Sequence, residues 1–189
     1  MKKIICMQQV HGNRVAYVGK NNLQQIIKKC DGLITNVQGL SLSVRVADCL
    51  PVFLYSPTTN SIGLVHAGWR GLYKGILEKT IELFNKKINA KSEELLVYIG
   101  PHICQKHYEV KSDVLEKFSD YTKAIEKIDG KIFIDLAEIA QKQLVGLGVK
   151  KNKIKIDKTC TYETKSLDSF RRGDLEKRTR YLFSLPDST

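Results

Sequence analysis

The chain of 189 residues lacks any apolar stretch near the roughly 18–20 residues that a membrane span needs, which excludes an integral membrane protein of the helical kind. It also lacks a signal-peptide core. Its basic start, MKKIICMQQVHGN, has an apolar run only from Ile4 to Met7, so the expected location is the cytoplasm. There is no Cys-x-x-Cys pair: Cys6, Cys30, Cys49, Cys104 and Cys160 are odd in number and widely scattered, which argues against a disulfide framework and for reduced thiols. Only four prolines occur, with no internal repeat, low-complexity tract or Pro/Gly/Ser linker, and one domain over residues 1–189 is expected. Acidic residues are outnumbered, 20 against 31 Lys+Arg, giving a formal charge of +11. Much of that charge is dispersed lysine, with a local concentration from Gly148 to Lys158, as on a solvated face. No zinc-finger, homeodomain-like or aromatic–Gly RNA-binding motif accompanies it, so nucleic acid is not the expected partner. The charge instead favours an anionic small substrate, phosphate or a nucleotide.

What is there suits a packed core: hydrophobic residues make up 42% and charged residues 27%, ordinary globular proportions. Short β-rich runs occur at Ser41 to Ala47, Leu50 to Tyr55, Ser61 to His66, Leu95 to Ile99 and Lys153 to Ile156. Leu72, Ile76, Leu77, Ile81, Phe84 and Ile88 recur at three- and four-residue steps and predict an amphipathic helix over Tyr73 to Ile88. A second helix is predicted from Asp135, with Asp135 as cap, Glu138 completing a capping box and Gly146 or Gly148 at its end. The class is mixed α and β, with strands too irregularly spaced for a doubly wound sheet.

Three segments carry chemistry. QQVHGNRV places His11 beside Gly12. VRVADCLPVFLY interrupts an apolar strand pair with Asp48 and Cys49. LVHAGWRG ends a strand in His66 and runs through Gly68, Trp69 and Arg70 towards a helix. Taken singly, each has an ordinary structural role: a turn histidine, a buried thiol, a core imidazole bonded to a carbonyl. Taken together, two imidazoles and a thiolate form a borderline-soft donor set suited to zinc, with one position left open for water or substrate.

The ordered set QVHGNRV, DGLIT, VADCLPVFL, GLVHAGWRG, IGPHIC…HYEV and CTYE…SFRR resembles the YfiH family over nearly the whole chain, from His11 to Arg180. Members of that family have been called laccase-domain or multicopper polyphenol oxidases and, later, zinc-dependent purine nucleoside enzymes. The resemblance implies an α+β fold layered α/β/β/α with mixed sheets, and a zinc held by His11, Cys49 and His66. It implies phosphorolysis of adenosine, inosine, guanosine and methylthioadenosine, and hydrolytic deamination of adenosine. An amidase that edits peptidoglycan precursors with the same zinc site is one alternative, and a non-catalytic, basic nucleic-acid-binding protein is another. Copper is disfavoured: a multicopper oxidase needs many histidine ligands, and the chain has four histidines. Family members usually carry a further segment before QVHG. A second copy of the chain could supply the corresponding pocket wall, so a homodimer joins purine nucleosides and phosphate among the expected partners.

Phosphorolysis needs phosphate held against the ribose, and arginine's planar fork suits that task. Arg70, near a helix start, is the first choice; Arg45 shares a strand face with Cys49 by alternation, and Arg171 and Arg172 follow. For proton transfer the carboxylates in view are Asp48, also read as an orienting partner for a ligand imidazole, and Glu109. His102, Cys104 and His107, crowded within six residues, read as solvated or hydrogen-bonded loop residues. Cys160 is open between nucleophile and packing.

Overall fold

The computed structural model describes residues 2–20 and 25–185. The first half contains β1 (Lys3–Met7), β2 (Val15–Tyr17), β3 (Ile26–Ile27), β4 (Gly32–Thr35), β5 (Leu40–Val46), β6 (Leu50–Ser56), β7 (Ser61–Ala67), α1 (Trp69–Tyr73) and α2 (Ile76–Ile88). The second half contains β8 (Leu96–Ile99), β9 (Glu109–Val110), α3 (Ser112–Leu115), β10 (Ile125–Ile128), β11 (Lys131–Ile134), α4 (Leu136–Gly146), β12 (Ile154–Ile156) and β13 (Thr179–Ser184). A six-stranded sheet runs β12-β8-β6-β7-β4-β2 and a four-stranded sheet runs β13-β5-β1-β3; both mix parallel and antiparallel pairs. A small antiparallel sheet, β10-β11-β9, stands apart. The class is α+β.

Period-two alternation explains the layering. On β6, Leu50, Val52 and Leu54 join the core beneath the helices, whereas Phe53 and Tyr55 turn to the core between the sheets. β7 does the same with Val65 and Ala67 on one side and Ile62 and Leu64 on the other, so every residue in it is buried. Leu42, Val44 and Val46 of β5 close the inter-sheet core from the smaller sheet. Every buried hydrophobic side chain of α1 to α4 belongs to the core on the helix side of the six-stranded sheet. Among the described residues, then, the order is sheet, sheet, helices. The α+β class with mixed sheets is as expected, and the outer face of the smaller sheet leaves Arg180 and Leu182 exposed.

Two element boundaries differ from expectation. The helix predicted from Tyr73 starts at Ile76: Gly75 takes a left-handed conformation (φ 77°) and separates α1 from α2, placing Leu72 on α1. Asp135 caps α4, its carboxylate accepting from the amides of Ala137 (2.9 Å) and Glu138 (3.0 Å). The reciprocal half of the capping box does not form, because the Asp135 amide donates to the Ala124 carbonyl. The strands flanking Asp48 and Cys49 do not pair with one another: β5 lies in the smaller sheet and β6 in the larger, and the chain switches sheets at this corner. β1 runs parallel to β5, so the loop after Met7 falls beside that corner. Pairing of Ala67 with Leu50 brings the end of β7 there as well.

Candidate metal centre

The convergence of these strand ends gathers His11, Cys49 and His66, whose donor atoms lie within 4.8 Å of one another. Their positions follow from one buried carboxylate. Asp31, fully buried just before β4, accepts from the backbone amides of Val10 (3.1 Å), His11 (2.9 Å) and Gly12 (2.9 Å). This anchors a loop in which His11 itself adopts φ 56°. The same carboxylate lies 2.8 Å from Nδ1 of His66, which leaves Nε2 of that ring to face the cavity. Gly68 is required at the start of α1: a Cβ there would lie 2.8 Å from the Cys49 sulfur.

The electrostatics suit a cation. Burial pushes the Cys49 thiol up, but hydrogen bonds with His11 and His66 and their charges outweigh it and bring the thiol down to about 6. Burial disfavours the charged form of His66, yet the Asp31 carboxylate and the Cys49 thiolate raise it to about 9. Burial also opposes ionisation of Asp31, and its bonds with His66, Gly12 and Val10 hold it below the ordinary carboxylate value. A thiolate and two imidazoles, one oriented by a carboxylate, are an appropriate donor set for zinc.

These residues floor a cavity of about 680 Å³. Arg45, Arg70, Arg171 and Arg178 line it, together with Trp69, Tyr108 and Phe170. The Arg70 guanidinium lies 4.4 Å from the Trp69 ring and that of Arg171 lies 4.9 Å from Tyr108. Arg45 faces outward while Val44 and Val46 point into the core, so the parity argument puts it at the cavity even though its strand ends before Cys49. The helix start near Arg70 belongs to a five-residue segment, too short for a substantial dipole, and any anion binding there rests on side chains.

Two expected roles are corrected, those of Asp48 and Glu109. Asp48 lines the cavity but orients neither imidazole. One of its oxygens accepts from the Thr161 hydroxyl (2.7 Å) and the other from the Arg171 amide (2.8 Å). Its left-handed backbone (φ 79°) turns the side chain away from Cys49, and Asp31 holds His66 instead. Glu109 is exposed on β9, paired with Lys131 at 3.4 Å, and is not among the residues lining this cavity. Arg172 donates to the carbonyls of Thr161 (2.6 Å) and Tyr162 (3.0 Å) and pairs with Asp174 (2.6 Å), organising its own loop. His102 is buried, with Nδ1 donating to the Gly100 carbonyl (2.9 Å). Cys160 is away from the cavity lining, close to Cys104 and His107. Sequence reasoning missed Asp31, Arg178, Tyr108 and Glu176, the last being a further carboxylate in the lining. Asp31 stood in the DGLIT segment without a role, since its partners lie 19–35 residues away.

A family model described as multi-copper polyphenol oxidoreductase laccase matches residues 1–182. A curated relative from Haemophilus influenzae, named purine nucleoside phosphorylase, is 35% identical over 90% of this chain and 69% of its own length. The purine nucleoside phosphorylase YfiH of Shigella flexneri is 32% identical over 90% of this chain and 69% of its own length. A third such relative, from Bacteroides thetaiotaomicron, is matched over only 54% of its length. Among solved structures, YlmD from Geobacillus stearothermophilus superposes with a TM-score of 0.90 at 25% identity, covering 98% of this chain and 74% of that one. The Bacillus licheniformis protein YfiH gives 0.89 at 27% identity, covering 97% and 74%.

Proposed function

Because the chain belongs to the YfiH family, described as multi-copper polyphenol oxidoreductase laccase, we propose that it is a zinc-dependent purine nucleoside enzyme whose main reaction is phosphorolysis. The observation that carries this reading is the pairing of a His11–Cys49–His66 floor with four arginines around one cavity. A donor set for a cation and a wall for an anion occur together. Bound by the three donors, zinc would supply a Lewis acid and an acidified water of pKa near about 7.

The chain's own residues do the rest. In phosphorolysis the bond between ribose C1′ and the purine nitrogen breaks, a C1′–oxygen bond to phosphate forms, and the base leaves with a proton. Arg70, Arg45 and Arg171 hold phosphate through their planar guanidinium forks. Trp69 and Phe170 offer aromatic faces for the purine. Burial raises the Tyr108 hydroxyl above its ordinary value, which keeps it a neutral donor towards the departing base. Adenosine, inosine, guanosine and methylthioadenosine are the expected substrates. Deamination of adenosine, which takes in water and releases ammonia, needs a carboxyl group to carry protons. Both Asp48 oxygens are engaged, so Glu176 at the cavity fits that task better.

The test is base release from adenosine and inosine by the zinc-loaded chain, with and without phosphate, separated by chromatography. Adenine and hypoxanthine are expected only with phosphate present. Inosine from adenosine without phosphate would add the deaminase reaction. A metal-loaded chain that releases no base in either condition overturns the reading and favours amide cleavage at the same floor.

A further inference from the structure

Metal-competent donors converge a second time, outside the cavity, here two sulfurs and one imidazole nitrogen. Cys104 and His107 bracket a turn of 3-10 helix, and Cys160 reaches them from a loop far along the chain. Nδ1 of His107 lies 3.3 Å from the Cys104 sulfur and 3.6 Å from the Cys160 sulfur, and all three donor atoms fall within 4.8 Å. From the same Nδ1, a carboxylate oxygen of Glu163 is 3.8 Å away, itself paired with Lys106.

Hydrogen bonding alone does not account for this arrangement. One ring nitrogen makes one hydrogen bond, yet two thiols, weak donors and weak acceptors alike, and a carboxylate oxygen at 3.8 Å all face it. A metal ion among them resolves the mismatch. Zn–S and Zn–N bonds of about 2.3 and about 2.0–2.1 Å imply a tetrahedral sulfur-to-nitrogen edge of roughly 3.5 Å, and the two observed separations bracket that length. The Cys104 amide also donates to the Cys160 sulfur at 3.3 Å. The Tyr162 ring stacks on His107 with centroids 4.3 Å apart and fixes its plane. The Cys-x-x-His spacing on one tight turn, joined by a distant third donor, is a ligand spacing that structural zinc sites use.

We propose that Cys104, His107 and Cys160 form a second metal site of zinc type, distinct from the cavity floor. Its task is to staple the loop after β8 to the segment that follows β12. Those two pieces carry Tyr108 and Arg171, which stack on each other at the cavity wall, so the site would hold that wall without touching substrate. The proposal stands apart from the nucleoside reading, because it concerns metal uptake and not turnover.

The test uses the full chain, stripped by chelator under reducing conditions and titrated with cobalt(II), with thiolate-to-cobalt charge-transfer absorbance as readout. The wild type is expected to take up two equivalents. Cys49→Ala, which disables the floor, is expected to keep one equivalent with the intensity of two thiolates. Adding Cys104→Ser or His107→Ala to it should abolish that equivalent. His107 is partly exposed, and circular dichroism of its variant verifies that the chain is folded. No charge-transfer band from Cys49→Ala would overturn the proposal. So would an undiminished second equivalent in the folded His107→Ala chain, or a Cys104–Cys160 disulfide that on reduction takes up no metal.

Discussion

Asp31 is the residue on which the floor of the cavity depends. Its carboxylate is fully buried and is met by three backbone amides and one imidazole, so the cost of desolvation is offset by charge-assisted hydrogen bonds. Through His66 it also acts on Cys49: it keeps the imidazole protonated in the metal-free chain, and the imidazolium keeps the thiol ionised. The Cys49 thiol is lowered to about 6, so its thiolate is present from alkaline pH down to that value, and its reactivity is lost as pH falls further. Alkylation of Cys49 in the metal-free chain, followed by mass spectrometry across pH, is therefore expected to continue well below the pH at which an ordinary thiol stops. Asp31→Asn keeps the shape but removes the charge. It is expected to move that profile upward and to weaken zinc binding by about 10–100-fold, as for other carboxylates behind a ligating histidine. An unchanged affinity in a competition titration would show that His66 needs no orienting partner.

At the scale of elements, the site depends on how tightly α1 seats against the β5–β6 corner. Gly68 precedes the helix with its backbone against the Cys49 sulfur, and Gly71 approaches the Gly12 carbonyl, where a Cβ would come to 3.2 Å. The break at Gly75 lets α1 follow the cavity wall while α2 follows the sheet, where Phe84 covers Gly63 closely. Gly68→Ala forces a Cβ to within 2.8 Å of the Cys49 sulfur, so the sulfur or α1 must shift. The expected outcome is a folded chain that has lost metal at the floor, read by metal analysis beside thermal unfolding. A Gly68→Ala chain with unchanged metal content would mean that the α1 start yields easily.

For the whole molecule, the three floor donors tie together segments that belong to different layers. His11 follows β1 of the smaller sheet, Cys49 opens β6 of the larger one, and His66 lies on β7. A metal bound there stabilises the folded chain by mass action, by about 2.7 kcal/mol at a free concentration of 100 Kd. For a chain of this size, that corresponds to a rise in Tm of about 5–10 °C. Differential scanning calorimetry is expected to show that rise on adding zinc, its reversal by chelator, and a smaller rise for His66→Ala. Equal shifts in wild type and His66→Ala would place the stabilising ion elsewhere.

Local patterns in the chain determined much of this protein. Short β-rich runs marked β5, β6, β7, β8 and β12 to within a residue or two, and Asp135 marked its helix, because each signal lies within a few residues of what it specifies. His11, Cys49 and His66 were legible for a related reason: each sits beside a glycine or at a strand end where a polar donor is out of place. β1, β2, β3, β4, β9, β10, β11 and β13 went unmarked; of these, β2, β3 and β9 have only two or three residues, too few to show a period. Tertiary structure alone decided which carboxylate serves His66. The parallel pairing of β1 with β5 puts the His11 loop over Asp31, while the corner at Asp48 commits that side chain to Thr161 and Arg171. It alone joined Cys160 to Cys104, 56 residues apart, because contacts between loops depend on which strand ends become neighbours, and no local period records that.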